Sequence, residues 1–338
     1  MRIYEVEYNA ESPIILSRPS VTNVFHNSYK YLPGSTIRGA ILTYLINNNH
    51  DIKEEMVKPS MLFHPAFPVK DDLVFKPAQV LLFRCKLCNT YKPLNPYEVN
   101  LDNLDNFDNF EMPFKCDNGH PFALKPIGGE LIAIKDGRVE EYKPKYAIFD
   151  SVGINRVTGS SDVNLIYTYI ALINAKYRGL IVTNDSCKFD LKELLDNEVI
   201  FVGKGINRGF GCLRVKIKEK SKDDIIKKYY KLNNKIVLKA LSPIFNINIS
   251  DNGLVTNYEF KIKLSRCKIL SNGSMYVSGF SIVSNTEKVK IAALKEGSLL
   301  ITDNISEDDI ADIVLNGIGP FICAGFNIVE VLDHDSPY

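Results

Sequence analysis

The sequence predicts an α+β protein built from two successive βαββαβ units, and three observations carry that prediction. Both halves of the chain end in the same order: a short helix, a Gly-x-Gly loop, a Gly-Phe pair (Gly209-Phe210, then Gly325-Phe326) and a closing strand. The segments before each loop alternate apolar and polar residues with a period of two, broken by short stretches of helical spacing. The length, 338 residues, suits about two domains. Two tandem ferredoxin-like domains fit the repeat, at 1–218 and 236–338, joined by a linker helix over 219–235. The first carries an insertion at 85–120.

In order along the chain, residues 2–9 alternate as a strand. A loop through Arg18, Pro19 and His26 leads to Tyr31-Leu32-Pro33-Gly34-Ser35-Thr36-Ile37-Arg38-Gly39-Ala40. Ile37, Ile41 and Leu45 repeat at helical spacing, so a helix is expected from about 36 to 47 with Ser35 as its N-cap. Residues 60–84 read as short strands and turns, with 63–68 an irregular joint. Strands are expected near 130–134, 145–149, 165–172 and 180–182, then a short helix at 189–197 with Leu191, Leu194 and Leu195 inward. Leu213, Val215 and Ile217 alternate with Arg214 and Lys216 as a half-buried strand. Ser221 suits the cap of a charged helix running to 231. The second half offers strands at 235–241, 258–264, 275–282 and 328–332, and a helix capped by Ser306 that runs to about 315.

Forty-one basic against 40 acidic residues leave a net charge of +1, so any cationic surface must be local. There is no run of about 18 apolar residues to span a membrane, and the N-terminus reads as a strand, so a cytoplasmic location is expected. The seven cysteines point to metal or buried thiols rather than a disulfide framework. Cys187, Cys212, Cys267 and Cys323 are unpaired in sequence and are expected as buried thiols.

Two features carry chemistry. Cys85-x-x-Cys88 and Cys116-x-x-x-His120 each place two ligands within reach of one ion, and together they make a closed tetrahedral Zn²⁺ site. Four protein ligands leave no open position, so the zinc is expected to be structural and to order a polar insertion that has no core of its own. The other feature is Gly203-Lys204-Gly205-Ile206-Asn207-Arg208-Gly209-Phe210-Gly211. So many glycines exclude a helix or strand interior, leaving either a tight structural hairpin or a cationic cradle for phosphates. Arg38 poses a related choice. Early in its helix, a cation opposes the dipole and a bound phosphate would relieve the conflict; a solvated arginine is the alternative.

Catalytic motifs are lacking. There is no Gly-x-Ser-x-Gly, no Walker loop and no His-Glu-x-x-His. His26 could act as a general base on an RNA 2′-hydroxyl, or simply pack or stack in its loop. Residues 18–30 contain no Asp or Glu, so they offer no metal-dependent cleavage site.

The Pro-Gly-Ser-Thr-Ile-Arg-Gly run at 33–39, the Asn155-Arg156-x-Thr158-Gly159 loop and the glycine-rich loop at 203–211, in this order, resemble the RAMP superfamily of CRISPR-associated proteins. So do the 63–68 joint and the second glycine-rich loop at 317–326. That resemblance implies RRM-like folds assembled on CRISPR RNA. Two such domains with a zinc insertion look most like the type III effector subunit, III-D in particular, that holds the 5′ tag of the crRNA. It implies partners: crRNA, the large polymerase-like subunit, backbone RAMP subunits and target RNA. It also implies a scaffold without chemistry of its own; the crRNA-processing endoribonuclease and the filament-terminating subunit are the alternatives. On this reading Arg38 and the amides from Ser35 and Thr36 to Ile37 take one phosphate, and Lys204, Asn207 and Arg208 take others. Asn155 and Arg156 add contacts, and Tyr31 or Phe210 stacks on a base, Phe210 having core packing as its alternative.

Overall fold

Alternation decides the first strand. Tyr4, Val6 and Tyr8 are buried while Glu5 and Glu7 are half-exposed, so β1 (Arg2–Ala10) presents one apolar face. The computed structural model describes residues 1–16, 29–98, 115–154, 157–226, 235–245, 267–277, 280–281, 286–287, 290–303, 305–319 and 321–333. After β1 come α1 (Gly34–Asn47), α2 (Lys53–Val57), β2 (Met61–Phe63), β3 (Phe67–Lys70), β4 (Leu73–Val74) and β5 (Lys76–Pro77). β6 (Leu82–Cys85) and β8 (Leu124–Pro126) flank the insertion, β7 (Tyr91–Pro93) lies within it, and β9 (Leu131–Lys135) and β10 (Arg138–Glu141) follow. Next are β11 (Tyr146–Ile154), β12 (Ser161–Leu172), β13 (Lys176–Thr183), α3 (Leu191–Leu195), β14 (Val199–Phe201) and β15 (Cys212–Lys220). A short α4 (Lys222–Ile226) leads to β16 (Lys235–Ala240), β17 (Lys268–Leu270), β18 (Ser274–Val277), β19 (Phe280–Ser281), β20 (Thr286–Glu287), β21 (Ile291–Leu294), β22 (Leu299–Asp303), α5 (Glu307–Asn316) and β23 (Val329–Val331).

Sheet topology repeats. In the first sheet β1 lies between β13 and β15, both antiparallel to it, and β2 pairs with β13. Numbering β1, β2, β13 and β15 from one to four, the spatial order is 4-1-3-2. The second sheet runs β17-β22-β16-β23, which is again 4-1-3-2 for β16, β17, β22 and β23. The molecule is thus a mixed α+β protein dominated by strands. The expected strand at 258–264 lies outside the described residues.

Each sheet meets the other half on the face its own helices leave open. Tyr4, Val6 and Tyr8 pack with Ile37, Ile41 and Leu45 of α1 and with Leu191 and Leu195 of α3. The opposite face offers Ile3 and Val182 to Ala311 and Leu315 of α5. The other side of α5, Ile310, Ile313 and Val314, covers Ile236, Leu238 and Leu300 of the second sheet. Val237, Leu299 and Ile301, on that sheet's far face, receive Val80 and Leu81, just before the insertion, and Leu94 and Tyr97 within it. The insertion is therefore more than an appendage on the first half. Its base is part of the contact between the halves, and Val80 N donates to Gly297 O at 2.9 Å.

The irregular joint at 63–68 is the node of the molecule. Leu32 and Ala66 exchange backbone hydrogen bonds of 2.9 Å, which aims the chain into α1. His64 is buried, and its Nε2 donates to Leu315 O of α5 at 2.8 Å. Burial pushes its pKa down to about 4. Lys76 and Lys239 both pair with Glu330, and burial lowers the Lys239 pKa while the Glu330 charge raises it.

Two local expectations need correction. α1 starts at Gly34, not after Ser35, and its cap residue is Pro33 with no side-chain cap bond. The extended Pro33 (φ −61°, ψ 141°) sets the turn, and its carbonyl accepts from Thr36 N at 2.9 Å and Ile37 N at 3.1 Å. Ser35 is exposed instead. The four cysteines expected as buried thiols are only partly buried. Elsewhere local capping is as expected: Ser306 Oγ accepts from Asp309 N at 3.2 Å, and Ser221 Oγ from Asp224 N at 3.2 Å. Residues 227–234, where the linker helix was expected to continue, lie outside the described residues.

Candidate functional site

The metal ligands converge as their spacing demands. β6 ends at Cys85, a turn brings Cys88 back, and Lys115 pairs with Pro121 so that Cys116 and His120 close a second turn around Gly119 (φ 80°). The four ligand atoms lie within 4.8 Å of one another. Cys88 Sγ to Cys116 Sγ is 3.7 Å, Cys85 Sγ to His120 Nδ1 is 3.7 Å and Cys116 Sγ to His120 Nδ1 is 3.3 Å. A tetrahedral ion with bonds of about 2.3 Å to sulfur and 2.0–2.1 Å to nitrogen sets its ligands roughly 3.5–3.8 Å apart. The cluster fits such an ion. Charge agrees: the Thr90 hydroxyl, 3.0 Å from Cys88 Sγ, heads the contacts that hold Cys88 down at about 5, and the Cys88 and Cys116 sulfurs raise the His120 pKa. Thr90 was not singled out in the sequence; its position two residues after the Cys pair was the signal.

The first glycine-rich loop is shaped by four left-handed glycines, Gly203, Gly205, Gly209 and Gly211, around a 3₁₀ turn at Ile206–Arg208. Lys204, Asn207 and Arg208 are exposed on it. Its inner side packs on the chain entering from β1. Lys204 N donates to Ile15 O at 3.0 Å and Gly211 N to Pro13 O at 2.8 Å. Its outer side braces the two-stranded ribbon of β11 and β12. Arg208 donates to Tyr169 Oη at 3.0 Å with its guanidinium over that ring, and Phe210 meets Phe149 edge-on at 5.0 Å. Phe210 thus packs within the protein, the alternative left open for it by the sequence. Tyr169 and Phe149 gave no sequence signal, because only the folded ribbon brings them to the loop.

On α1, Arg38 is half-buried, and its Nε is buried without a partner among the described residues. Of the amides expected to face a phosphate, those of Thr36 and Ile37 already serve Pro33 O. Tyr31 is misplaced by the stacking expectation. It is 7 % exposed, packs on Phe67 and Tyr29, and its hydroxyl donates to Glu296 at 2.5 Å. No ring face is left for a base. Asn155 and Arg156 fall between β11 and β12 but lie outside the described residues, as does His26.

The second glycine-rich loop repeats the backbone of the first. Gly319, Phe321, Gly325 and Asn327 are left-handed at the positions matching 203, 205, 209 and 211, around a 3₁₀ turn at Ile322–Ala324. It docks on the first half: a Cβ on Gly34 would stand 2.6 Å from Gly325 Cα. Asn327 is buried, and its side chain accepts from Phe245 N at 2.8 Å and donates to Phe245 O at 3.1 Å.

No protein-family model and no curated protein sequence matches this chain. By structure it is similar to a chain of the type III-B Cmr-beta complex bound to cognate target RNA, at TM-score 0.51 and 15 % identity over 88 % of this chain and 86 % of that one. It is also similar to a chain of the same complex bound to cognate target RNA and AMPPnP, at TM-score 0.52 and 14 % identity over 91 % and 88 %. The chain shares its fold with these Cmr-beta chains over nearly its whole length. No helix among the described residues is long and apolar enough to cross a membrane.

Proposed function

We propose that this chain is a non-catalytic, RNA-binding subunit of a type III CRISPR effector ribonucleoprotein in the cytoplasm, built from two ferredoxin-like units. It holds crRNA by its 5′ tag and contacts the large polymerase-like subunit and the backbone RAMP subunits. The observation that carries this reading is the fold shared nearly end to end with chains of an RNA-bound Cmr-beta assembly. A fold alone supports many functions, so the burden falls on the site. Both sheets meet the other half on the face an RRM would offer to RNA. RNA is therefore assigned to loops and helix ends: Ser35 and Arg38 on α1, Lys204 and Asn207 on the first glycine-rich loop, and Asn155 and Arg156 at the ribbon turn. The ribbon supports assembly, since Tyr146, Ile148, Val152 and Ile154 expose apolar side chains along β11. Cys85, Cys88, Cys116 and His120 hold a structural Zn²⁺.

The test is binding of repeat-derived RNA across a salt series. Arg38→Ala with Lys204→Ala should lower the slope of log K against log salt by about 1.4, the share of two phosphate contacts on a single strand. Unchanged affinity and unchanged complex assembly would defeat the reading. Cleavage of labelled repeat RNA that is lost in His26→Ala would defeat the non-catalytic assignment. Metal analysis should return about one zinc per chain, and its removal should unfold the insertion first. A zinc-free chain with an ordered insertion would remove the metal from the account.

A further inference from the structure

The three sulfurs of the metal cluster stand in unequal surroundings. Cys85 and Cys116 are buried, whereas Cys88 is partly exposed. Backbone amides serve all three: those of Leu87 and Cys88 donate to Cys85, those of Asn118 and His120 to Cys116, and that of Thr90 to Cys88. Among the described residues, Cys88 is the one ligand sulfur with a side-chain hydroxyl beside it, Thr90 Oγ1 at 3.0 Å. A metal-bound thiolate carries no proton, so in the loaded cluster the hydroxyl is the donor. The chain builds this contact locally. Asn89 turns left-handed at a φ of 57°, its amide donates to Cys85 O at 3.0 Å, and Cys85 N donates to Thr90 O at 2.8 Å. Those bonds close the turn between β6 and β7 and set Thr90 against the sulfur.

Three thiolates around one doubly charged ion leave the cluster with excess negative charge. At Cys85 and Cys116 burial keeps water and electrophiles away from that charge. At Cys88 both can approach, and a charge-assisted hydrogen bond is the remaining protection. We infer that Thr90 is a positioning residue of the metal cluster: its hydroxyl, donating to Cys88 Sγ, keeps the partly exposed thiolate on the ion and lowers its reactivity. The inference rests on the structural-zinc reading above and gives a neutral threonine a task that ligand spacing does not reveal. Groups that hydrogen-bond to metal ligands fix their orientation and tune the bound ion. The rival role for Thr90 is packing by its methyl group, which valine would keep and serine would lose.

The experiment uses the full, zinc-loaded chain in competition with a chelator at fixed pH. Thr90→Val keeps the shape and removes the donor, and it should hold zinc about tenfold more weakly, the lower end of the range for lost partners behind metal ligands. Thr90→Ser keeps the hydroxyl and should recover most of that loss. Under iodoacetamide, mapped by mass spectrometry, Cys88 should become the first ligand alkylated in Thr90→Val, and Thr90→Ser should restore the wild-type order. One measurement needs no variant: in the wild-type chain loaded with cadmium, the Thr90 hydroxyl proton should show a spin coupling to the metal through Cys88 Sγ. Absence of that coupling overturns the inference even where Thr90→Val fails to fold. Thr90→Val with wild-type zinc affinity and alkylation order overturns it and leaves the metal reading standing. Thr90→Ser as weak as Thr90→Val assigns the effect to the methyl group and overturns it as well. A wild-type chain that holds no zinc defeats both.

Discussion

The two glycine-rich loops have the same backbone and opposite surroundings. Each is a 3₁₀ turn between left-handed residues, and each hydrogen-bonds across its base in the same way: Val202 N to Gly211 O and Ile318 N to Asn327 O, both 2.9 Å. The first keeps Lys204 and Asn207 on the surface. The second is pressed onto Gly34 and Phe63 of the other half. The lesson is that the glycine pattern encodes a backbone shape, and what that shape does depends on what it meets. In the second loop, closeness to α1 excludes even a methyl group at Gly325. In the first, the matching Gly209 faces open space.

The largest effect that could break this comparison comes from Gly325→Ala. Its Cβ would come within 2.6 Å of Phe63 O and closer still to Gly34 Cα, at a φ of 76°. Left-handed strain plus a backbone clash should cost about 3 kcal/mol in denaturant unfolding. A loss below about 1 kcal/mol would mean the loop is not docked as described. The next effect is acid sensitivity of the same contact through His64. Its folded pKa of about 4 lies below the ordinary 6.5, so the unfolded chain takes up a proton that the folded chain refuses. Stability from this residue is complete above pH 6.5 and should fall by about 2 kcal/mol by pH 5. His64→Gln should flatten that slope; an unchanged slope would point to other groups. The smallest effect belongs to Gly209→Ala, where only the conformational cost of about 1 kcal/mol applies because no atom lies within 4 Å. A cost equal to that of Gly325→Ala would erase the distinction between the loops.

Legibility followed the range of the interaction. Cys85, Cys88, Cys116 and His120 were readable because short spacings within each pair nearly fix the ligand geometry. The caps at Ser221 and Ser306 were readable for the same reason. Ser35 was not, since Pro33 had already fixed the turn one step earlier. Tyr31 was expected to stack on a base, and only the folded chain packs it on Phe67 and Tyr29 and brings Glu296 from the second half to its hydroxyl. Arg208 looked like a free cation, and only the ribbon supplies Tyr169.

By itself the sequence determined the repeated order of elements, the two glycine-rich loops as irregular backbone, and the metal cluster. These depend on local dihedral preference and on spacing over a few residues. The tertiary structure alone decided which glycine-rich loop faces outward and which seals the joint. It also decided that each sheet turns its open face to the other half, and that the insertion's base belongs to the contact between them. Those outcomes arise where surfaces distant in the chain compete to bury apolar area, and no local preference encodes the winner.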